Sequence, residues 1–204
     1  VRNAYNALAH AADGSHDPII SEIALYNQAL CAYESNFDLF DSTLSLFEKF
    51  ASNYPQSVYI DDVHTRMSDL HINSRNYLTA LDYIDRIKKP SNDMLKQRQQ
   101  VLYMIGTECF ANNRISDAEK WFSQASQMGD YAPEYRVRSL YWLGECYYRR
   151  GGYNEAIKCY KQVIDAHVTI DATTVALAQY NMAYCYFRQE NYERSCAVFE
   201  LFAK

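Results

Sequence analysis

The sequence contains little proline and little glycine, the residues that most often interrupt regular structure. Only 4 prolines and 6 glycines occur among its 204 residues. An all-β protein needs turn residues about every 8–12 positions, so this composition excludes a sandwich or a barrel. No apolar run approaches the roughly 20 residues that cross a bilayer, and we therefore expect no membrane insertion by this chain.

The sequence also lacks an excess of positive charge. Its 20 lysines and arginines are outnumbered by 25 acidic residues, which gives a net charge of −5. Nucleic-acid binding usually requires a basic face, so we expect no nucleic-acid partner. Hydrophobic residues make up 49% of the chain, which is typical of a globular domain with a substantial core.

Catalytic and cofactor motifs are missing as well. There is no His-Glu-x-x-His, no Cys-x-x-Cys, no phosphate-binding glycine loop and no Gly-x-Ser-x-Gly elbow. His64 and His71 are seven residues apart near three aspartates, and a zinc site is one interpretation of them. Because both histidines occupy core-facing positions of a predicted helix, we interpret them as packing residues. We expect no enzyme, no cofactor and no metal.

What the sequence does contain is a repeat of 38–39 residues. A small residue recurs with this spacing at Ser68, Gly106, Gly144 and Ala183. Another small residue follows twelve positions later, and a large apolar residue sixteen positions later. The first set is Ala80, Ala118, Ala156 and Ser195, and the second is Ile84, Phe122, Tyr160 and Phe199.

Each repeat unit predicts two antiparallel helices. In the unit from Tyr141 to Ile164, apolar residues at helical spacing flank Gly151-Gly152. The glycine pair predicts a tight turn, and Gly144 with Ala156 predicts close packing of the two helices. The sequence therefore predicts an all-α fold, a right-handed solenoid of antiparallel helical hairpins.

The repeat divides the whole chain into a single array. We expect residues 1–12 to be the tail of a preceding repeat, and further repeats over about 20–56, 57–92, 93–131, 132–168 and 171–204. In the repeat at 20–56, Ala29 takes the small position, and Phe37, Leu44 and Phe47 fit the second helix. Asp171 is a predicted N-cap. Because the chain opens at Val1 and stops inside a predicted helix, we expect it to be a fragment of a longer protein.

The recurring small residues, together with Leu140, Leu143, Tyr147 and Tyr153, resemble the tetratricopeptide repeat (TPR). The usual period of that repeat is about 34 residues. The longer period of this sequence resembles that of a bacterial type of the repeat. The stretch from Phe47 to Ser57 resembles cell-envelope members of the family, namely outer-membrane assembly lipoproteins and Tol-Pal coordinators. That resemblance implies a cell-envelope location. All six cysteines lie in predicted helices among apolar residues, and we interpret them as reduced and buried, which favours a cytoplasmic location instead.

The resemblance also implies where a partner binds. We number each unit so that the small residue of its first helix is the eighth place. The family's inner face carries the second, fifth, ninth, twelfth and thirteenth places. Here these include aromatic residues at the fifth and twelfth places and arginines at the second and thirteenth. The predicted partner-binding residues are Tyr103, Tyr141, Tyr180, Phe110, Tyr148, Phe187, Arg138, Arg149 and Arg188.

Tyrosine and arginine are residue types that often anchor protein interfaces. The leading hypothesis is a non-enzymatic scaffold that binds a segment of another protein, with acidic groups to match the arginines. The carboxylate clamp that some family members use for chaperone tails is absent from the fifth and ninth places. One alternative is a module that stacks glycans or small ligands on its aromatic rings. Another is a structural spacer, whose apolar end faces we expect to fray or to bind another copy.

Overall fold

The computed structural model describes residues 2–34 and 40–202, and every regular element within those ranges is an α-helix. The described residues form eleven helices and no strand, which confirms the predicted all-α fold. The helices are α1 Arg2–Gly14, α2 Pro18–Glu34, α3 Phe40–Asn53, α4 Ile60–Asn73, α5 Tyr77–Arg86, α6 Asn92–Ala111, α7 Ile115–Gln127, α8 Pro133–Arg149, α9 Tyr153–Ile164, α10 Ala172–Arg188 and α11 Tyr192–Phe202.

The chain divides into two compact units, Val1–Pro90 and Ser91–Lys204. The first unit contains α1, which packs on α2, followed by the hairpin pairs α2–α3 and α4–α5. Its core is formed by six buried side chains from α2, α3 and α4. They are Leu25, Ala29, Phe47, Phe50, Val63 and Met67. The predicted core residue Phe37 lies outside the described residues.

The second unit consists of three successive hairpins, α6–α7, α8–α9 and α10–α11, and each hairpin packs on the next. Its central core contains Val137, Leu140, Ala156, Tyr160, Val163, Ala178 and Cys185. Two of its first helices begin at side-chain caps. Ser91 accepts a hydrogen bond from the backbone of Met94, and Asp171 accepts one from the backbone of Thr174 at 2.8 Å, which confirms the predicted N-cap.

Four of the hairpins share the same backbone conformation in the turn between their two helices. The first helix ends in a Schellman motif. In the third of these turns Gly152 N donates to Tyr147 O at 2.9 Å and Gly151 N donates to Tyr148 O at 3.0 Å. The residue before the second helix's N-cap adopts a left-handed conformation each time. These residues are Arg75 (φ 62°), Asn113 (59°), Gly151 (78°) and Glu190 (60°).

Small residues let the two helices of a hairpin approach each other. A Cβ built on Gly106 would lie 2.6 Å from Cε1 of Phe122, and one on Gly144 would lie 2.7 Å from Cε1 of Tyr160. The ring sixteen positions later therefore occupies the space at the glycine. In the last hairpin Ser195 donates a buried hydrogen bond of 3.0 Å to the carbonyl of Ala183.

The cysteine prediction is wrong in one place. Cys109, Cys146, Cys159 and Cys185 are buried and Cys31 is half-buried, but Cys196 is exposed on α11. None of the six forms a disulfide in the described ranges. Burial raises the pKa of the Cys146 and Cys185 thiols to about 12 and that of Cys159 to about 11.

Candidate partner-binding site

The three predicted tyrosines of the fifth place lie on α6, α8 and α10, the first helices of the second unit, in three different environments. Tyr103 and Tyr141 are half-buried, whereas Tyr180 is 42% exposed. The ring centroid of Tyr103 lies 5.5 Å from that of Tyr135 on α8. The sequence predicts one role for all three positions, but their exposure differs because the following hairpin covers the first two.

Tyr141 is the most constrained of these tyrosines. Its ring centroid lies 5.4 Å from that of Trp142 and 6.1 Å from that of Tyr160. Asn181 Nδ2 of α10 donates to its hydroxyl at 3.4 Å. Desolvation, reinforced by the nearby charge of Glu145, raises the pKa of Tyr141 to about 12. This tyrosine therefore stays a neutral hydroxyl at physiological pH.

A hydrogen-bond network centred on Glu145 is connected to Tyr141 through the side-chain amide of Asn181. The hydroxyl of Tyr160 and Asn181 Nδ2 both donate to Glu145 Oε1, each at 2.5 Å. Tyr160 reaches this carboxylate because its ring passes the bare backbone of Gly144. Burial, followed by the charge of Glu145, raises the pKa of Tyr160. The network was missed by the sequence reasoning, because its three members are brought together only by packing of α8, α9 and α10.

Arg138 lies at the edge of a cavity between α6, α8 and α10. Its guanidinium pairs with the carboxylate of Asp171 at 3.1 Å. Hydrogen bonds from Thr174 lower the pKa of Asp171, and Arg138 adds to this shift. The cavity has a volume of about 330 Å³, and its lining combines aromatic, aliphatic and charged groups. The lining residues are Tyr103, Arg138, Tyr141, Trp142, Asp171, Thr174 and Leu177.

The predicted residues of the twelfth place form a second row of rings. The centroid of Phe110 lies 4.8 Å from that of Trp142, and the centroid of Tyr148 lies 6.3 Å from that of Tyr184. Phe187 is 48% exposed. As with the fifth place, the rings on α6 and α8 are covered by the next first helix.

Arg149 and Arg188 lie over rings and remain accessible. The Cζ atom of Arg149 is 4.2 Å from the ring centroid of Phe110, and that of Arg188 is 5.7 Å from the ring centroid of Tyr153. Both arginines are exposed, and neither forms an ion pair with the residues that the structure describes. Cation–π contacts therefore position both guanidiniums on side chains that solvent can reach.

The two histidines considered for zinc belong to the first unit. Both are buried, and both lie against Tyr83, with ring centroids 6.0 Å away for His64 and 5.5 Å away for His71. Burial lowers the pKa of each imidazole. Across residues 2–34 and 40–202, no group of three or more potential ligands is arranged to hold a metal ion.

Two family profiles match the sequence in separate segments. Residues 23–57 match the profile described as tetratricopeptide repeat. Residues 111–200 match the profile described as anaphase-promoting complex, cyclosome, subunit 3. Together with the hairpin architecture, these matches identify the repeat. The chain contains tetratricopeptide-type repeats. A comparison with curated proteins finds no significant match. The finer resemblance to bacterial cell-envelope members stays a prediction.

Solved structures show the same TPR fold at low sequence identity. The crystal structure of YrrB, described as a TPR protein with an unusual peptide-binding site, superposes with a TM-score of 0.51 at 16% identity, covering 97% of this chain and 91% of YrrB. The apo form of RapI gives a TM-score of 0.55 at 12% identity, covering 98% of this chain and 58% of RapI. Both similarities establish the fold. TPR repeats as a class indicate a protein-interaction scaffold.

No helix in the described part of the TPR chain is both long and apolar enough to span a membrane.

Proposed function

We propose that the second unit of this TPR protein binds a segment of another protein along α6, α8 and α10, and that it catalyses no reaction. The observation that carries this proposal is the cavity at Tyr103, Tyr141 and Leu177. Its volume of about 330 Å³ is at the lower end of the range for ligand sites, and it suits one large apolar side chain of a partner. Tyrosine and tryptophan in its wall are frequent interface anchors.

The charges around the cavity favour an acidic partner segment. Arg138 is already paired with Asp171, so the cations available to a partner are Arg149 and Arg188. They end two successive first helices, and each is held by a ring. Both guanidiniums lie at the C-terminal ends of their helices, so acidic residues of the partner beyond its apolar anchor would reach them there, and charge-assisted hydrogen bonds to arginine are stronger than neutral ones.

The nine predicted residues take different parts in this proposal. Tyr103 and Tyr141 form the wall of the anchor cavity, and Arg138 closes its edge. Phe110 supports Arg149, while Tyr148, Tyr180 and Phe187 continue the aromatic surface along α8 and α10. That YrrB is described as having a peptide-binding site supports a peptide segment as the partner class, in preference to a glycan.

The proposal is tested by selecting binders from a random-peptide display library and measuring their affinities for variants. Selected peptides should combine an aromatic or large aliphatic residue with aspartate or glutamate, and their association rate should fall as salt rises. Arg149→Ala should weaken binding about fivefold or more, which is about 1 kcal/mol. Arg194→Ala is the matched control, because Arg194 also lies over a ring, that of Tyr186, but belongs to the second helix α11.

Two outcomes would contradict the proposal. Peptides without an acidic preference, or equal losses for Arg149→Ala and Arg194→Ala, would show that this face is not the site. If no peptide binds while oligosaccharides do, the glycan hypothesis replaces the peptide one.

A further inference from the structure

The first unit contains a cavity that α3, α4 and α5 line together. Its volume is about 400 Å³, which is within the range of sites that bind small molecules. Its apolar lining includes Ala51, Ile60 and Met67. Ile60 and Met67 are buried on α4, and Met67 belongs to the core of the unit. The apolar body of a ligand in this cavity would therefore rest on the core.

Polar groups without a partner line the same cavity. The carboxylate of Glu48 and the hydroxyls of Ser52 and Tyr83 form no hydrogen bond or ion pair with any residue that the structure describes. Glu48 and Ser52 are exposed and Tyr83 is half-buried, so a ligand can reach all three. An apolar wall combined with a few polar groups is the usual composition of a small-ligand site.

The charge that the cavity offers to a ligand is negative. The guanidinium of Arg86 also lines it, but this group is paired with the carboxylate of Asp82 at 2.5 Å. Its Cζ atom lies 5.1 Å from the ring centroid of Tyr83. Burial raises the pKa of Tyr83, and the charge of Glu48 adds to this shift, so the carboxylate lies close to the ring. The unpaired charge of Glu48 favours a cationic ligand.

His64 distinguishes this cavity from the packing of the later hairpins. The corresponding places on α6 and α8 hold Leu102 and Leu140, which are both buried. His64 is buried too, and its Nδ1 atom has no hydrogen-bond partner among the described residues. Buried polar atoms are nearly always paired in proteins, so this nitrogen in a cavity wall differs from ordinary core packing. Burial lowers the pKa of the imidazole, which is therefore neutral at physiological pH and does not repel a cation.

We propose that this cavity binds a small organic amine, with the ammonium group on the carboxylate of Glu48 and the apolar body on Ile60 and Met67. An ammonium group has three donors and no acceptor. The carboxylate takes one of them, and the hydroxyl oxygens of Ser52 and Tyr83 accept the others. A ligand that carries a carboxylate is repelled by Glu48, so the site selects amines over acids of the same shape.

This inference does not depend on the partner segment proposed above. Every residue that lines the cavity belongs to the first unit, whereas the partner segment is proposed to bind the first helices of the second unit. The lining comes from α3, α4, α5 and the linker between α3 and α4.

The test is an NMR titration of the complete chain with isotope-labelled methionine methyl groups. The probes are phenethylamine and hydrocinnamate, which share one apolar body and carry opposite charges. Met67 lines the cavity, and the other methionines among the 5 in the chain serve as internal controls. Phenethylamine should shift the Met67 signal with a dissociation constant of about 1 mM or below. Hydrocinnamate should bind at least about tenfold more weakly.

Three variants locate the site and its charge. Glu48→Gln keeps the size of the side chain and should weaken phenethylamine binding at least about tenfold. Glu108→Gln makes the same change at an exposed position of α6 and should bind like wild type. Ser52→Trp fills the cavity from an exposed position and should abolish the Met67 shift. Circular dichroism melts establish that each variant is folded.

Three results would overturn the proposal. The first is a Met67 signal that phenethylamine does not shift. The second is equal affinity for phenethylamine and hydrocinnamate, which would mean that the cavity takes apolar groups without reading their charge. The third is wild-type binding by Glu48→Gln, which would mean that this carboxylate is not the partner of the ammonium group.

Discussion

Tyr160 lies so close to Gly144 that the two residues form one packing unit. A Cβ on Gly144 would stand 2.7 Å from Cε1 of Tyr160 and 3.0 Å from its Cδ1. The absence of a side chain on α8 lets the tyrosine ring of α9 pass beneath it and reach Glu145. This single relationship connects the hairpin packing to the hydrogen-bond network behind the candidate site.

Gly144→Ala should therefore destabilise the protein although alanine is the better helix former. The clash of the added methyl group with Tyr160 should cost about 1–3 kcal/mol, more than the roughly 1 kcal/mol gained in helix propensity. Urea denaturation measures the difference. Gly14→Ala is the control, because a Cβ there meets nothing within 4 Å. Equal stability of Gly144→Ala and wild type would contradict the packing account, and Gly144→Ala with Tyr160→Leu should recover part of the loss.

The hairpin turns predict a substitution that stabilises. Arg75 and Glu190 hold left-handed conformations, at φ 62° and 60°, that L-residues adopt at a cost of about 1–2 kcal/mol. Glycine adopts them without strain, although it also gives the unfolded chain more freedom. Arg75→Gly should stabilise by about 0.5–1 kcal/mol in denaturant unfolding. Ser74→Gly, at the neighbouring φ of −88°, should destabilise, and a loss of stability in both variants would contradict the assignment.

The first unit should lose stability as the pH falls. Burial lowers the pKa of His64 and His71 in the folded chain from the ordinary value of 6.5. The unfolded chain then binds protons that the folded chain does not, so this stability is present above about pH 6.5 and declines as the pH falls through the folded pKa values. Denaturant unfolding at several values between pH 7.5 and pH 5 measures the slope. Replacing both histidines by leucine should flatten it, whereas His167→Leu, at an exposed position, should not. An unchanged slope in the double variant would show that other groups cause the pH dependence.

Thiol labelling of the folded protein should separate the cysteines. The thiolate is the reactive form, and burial raises the pKa of Cys146, Cys159 and Cys185. Iodoacetamide at neutral pH should therefore modify exposed Cys196 well before these three, as followed by mass spectrometry of peptides. All six should react in denaturant. Modification of Cys146 as fast as Cys196 would mean that the hairpin opens locally or that the core differs from the one described.

Much of the fold could be predicted from the sequence because the repeat is carried by small and large residues at fixed spacing. The positions of Gly106 and Gly144 predict close helix approach, and the structure supplies the ring that fills each space. The turn at Gly151 was predicted from its glycine. The same conformation at Arg75 and Glu190 could not be, because those residue types ordinarily avoid it.

The candidate site was less predictable. Spacing alone places Tyr103, Tyr141 and Tyr180 at one position, but exposure depends on what the next hairpin covers. The pairing of Arg138 with Asp171 depends on where α10 begins relative to α8. The cavity wall also contains Trp142, which holds the sixth place. The family's inner-face pattern does not include that place, so the sequence did not point to Trp142.

The measurement that tests the central claim most directly is site-specific photo-cross-linking of a selected acidic peptide. A photoreactive phenylalanine analogue is placed at Leu177, which lines the cavity, or at Leu78, which is exposed on α5. The account predicts a strong cross-link from position 177, with peptide residues next to the apolar anchor, and little from position 78. Equal cross-linking at both positions, or none at 177 for a peptide that binds, would contradict the assignment of this face as the partner-binding site.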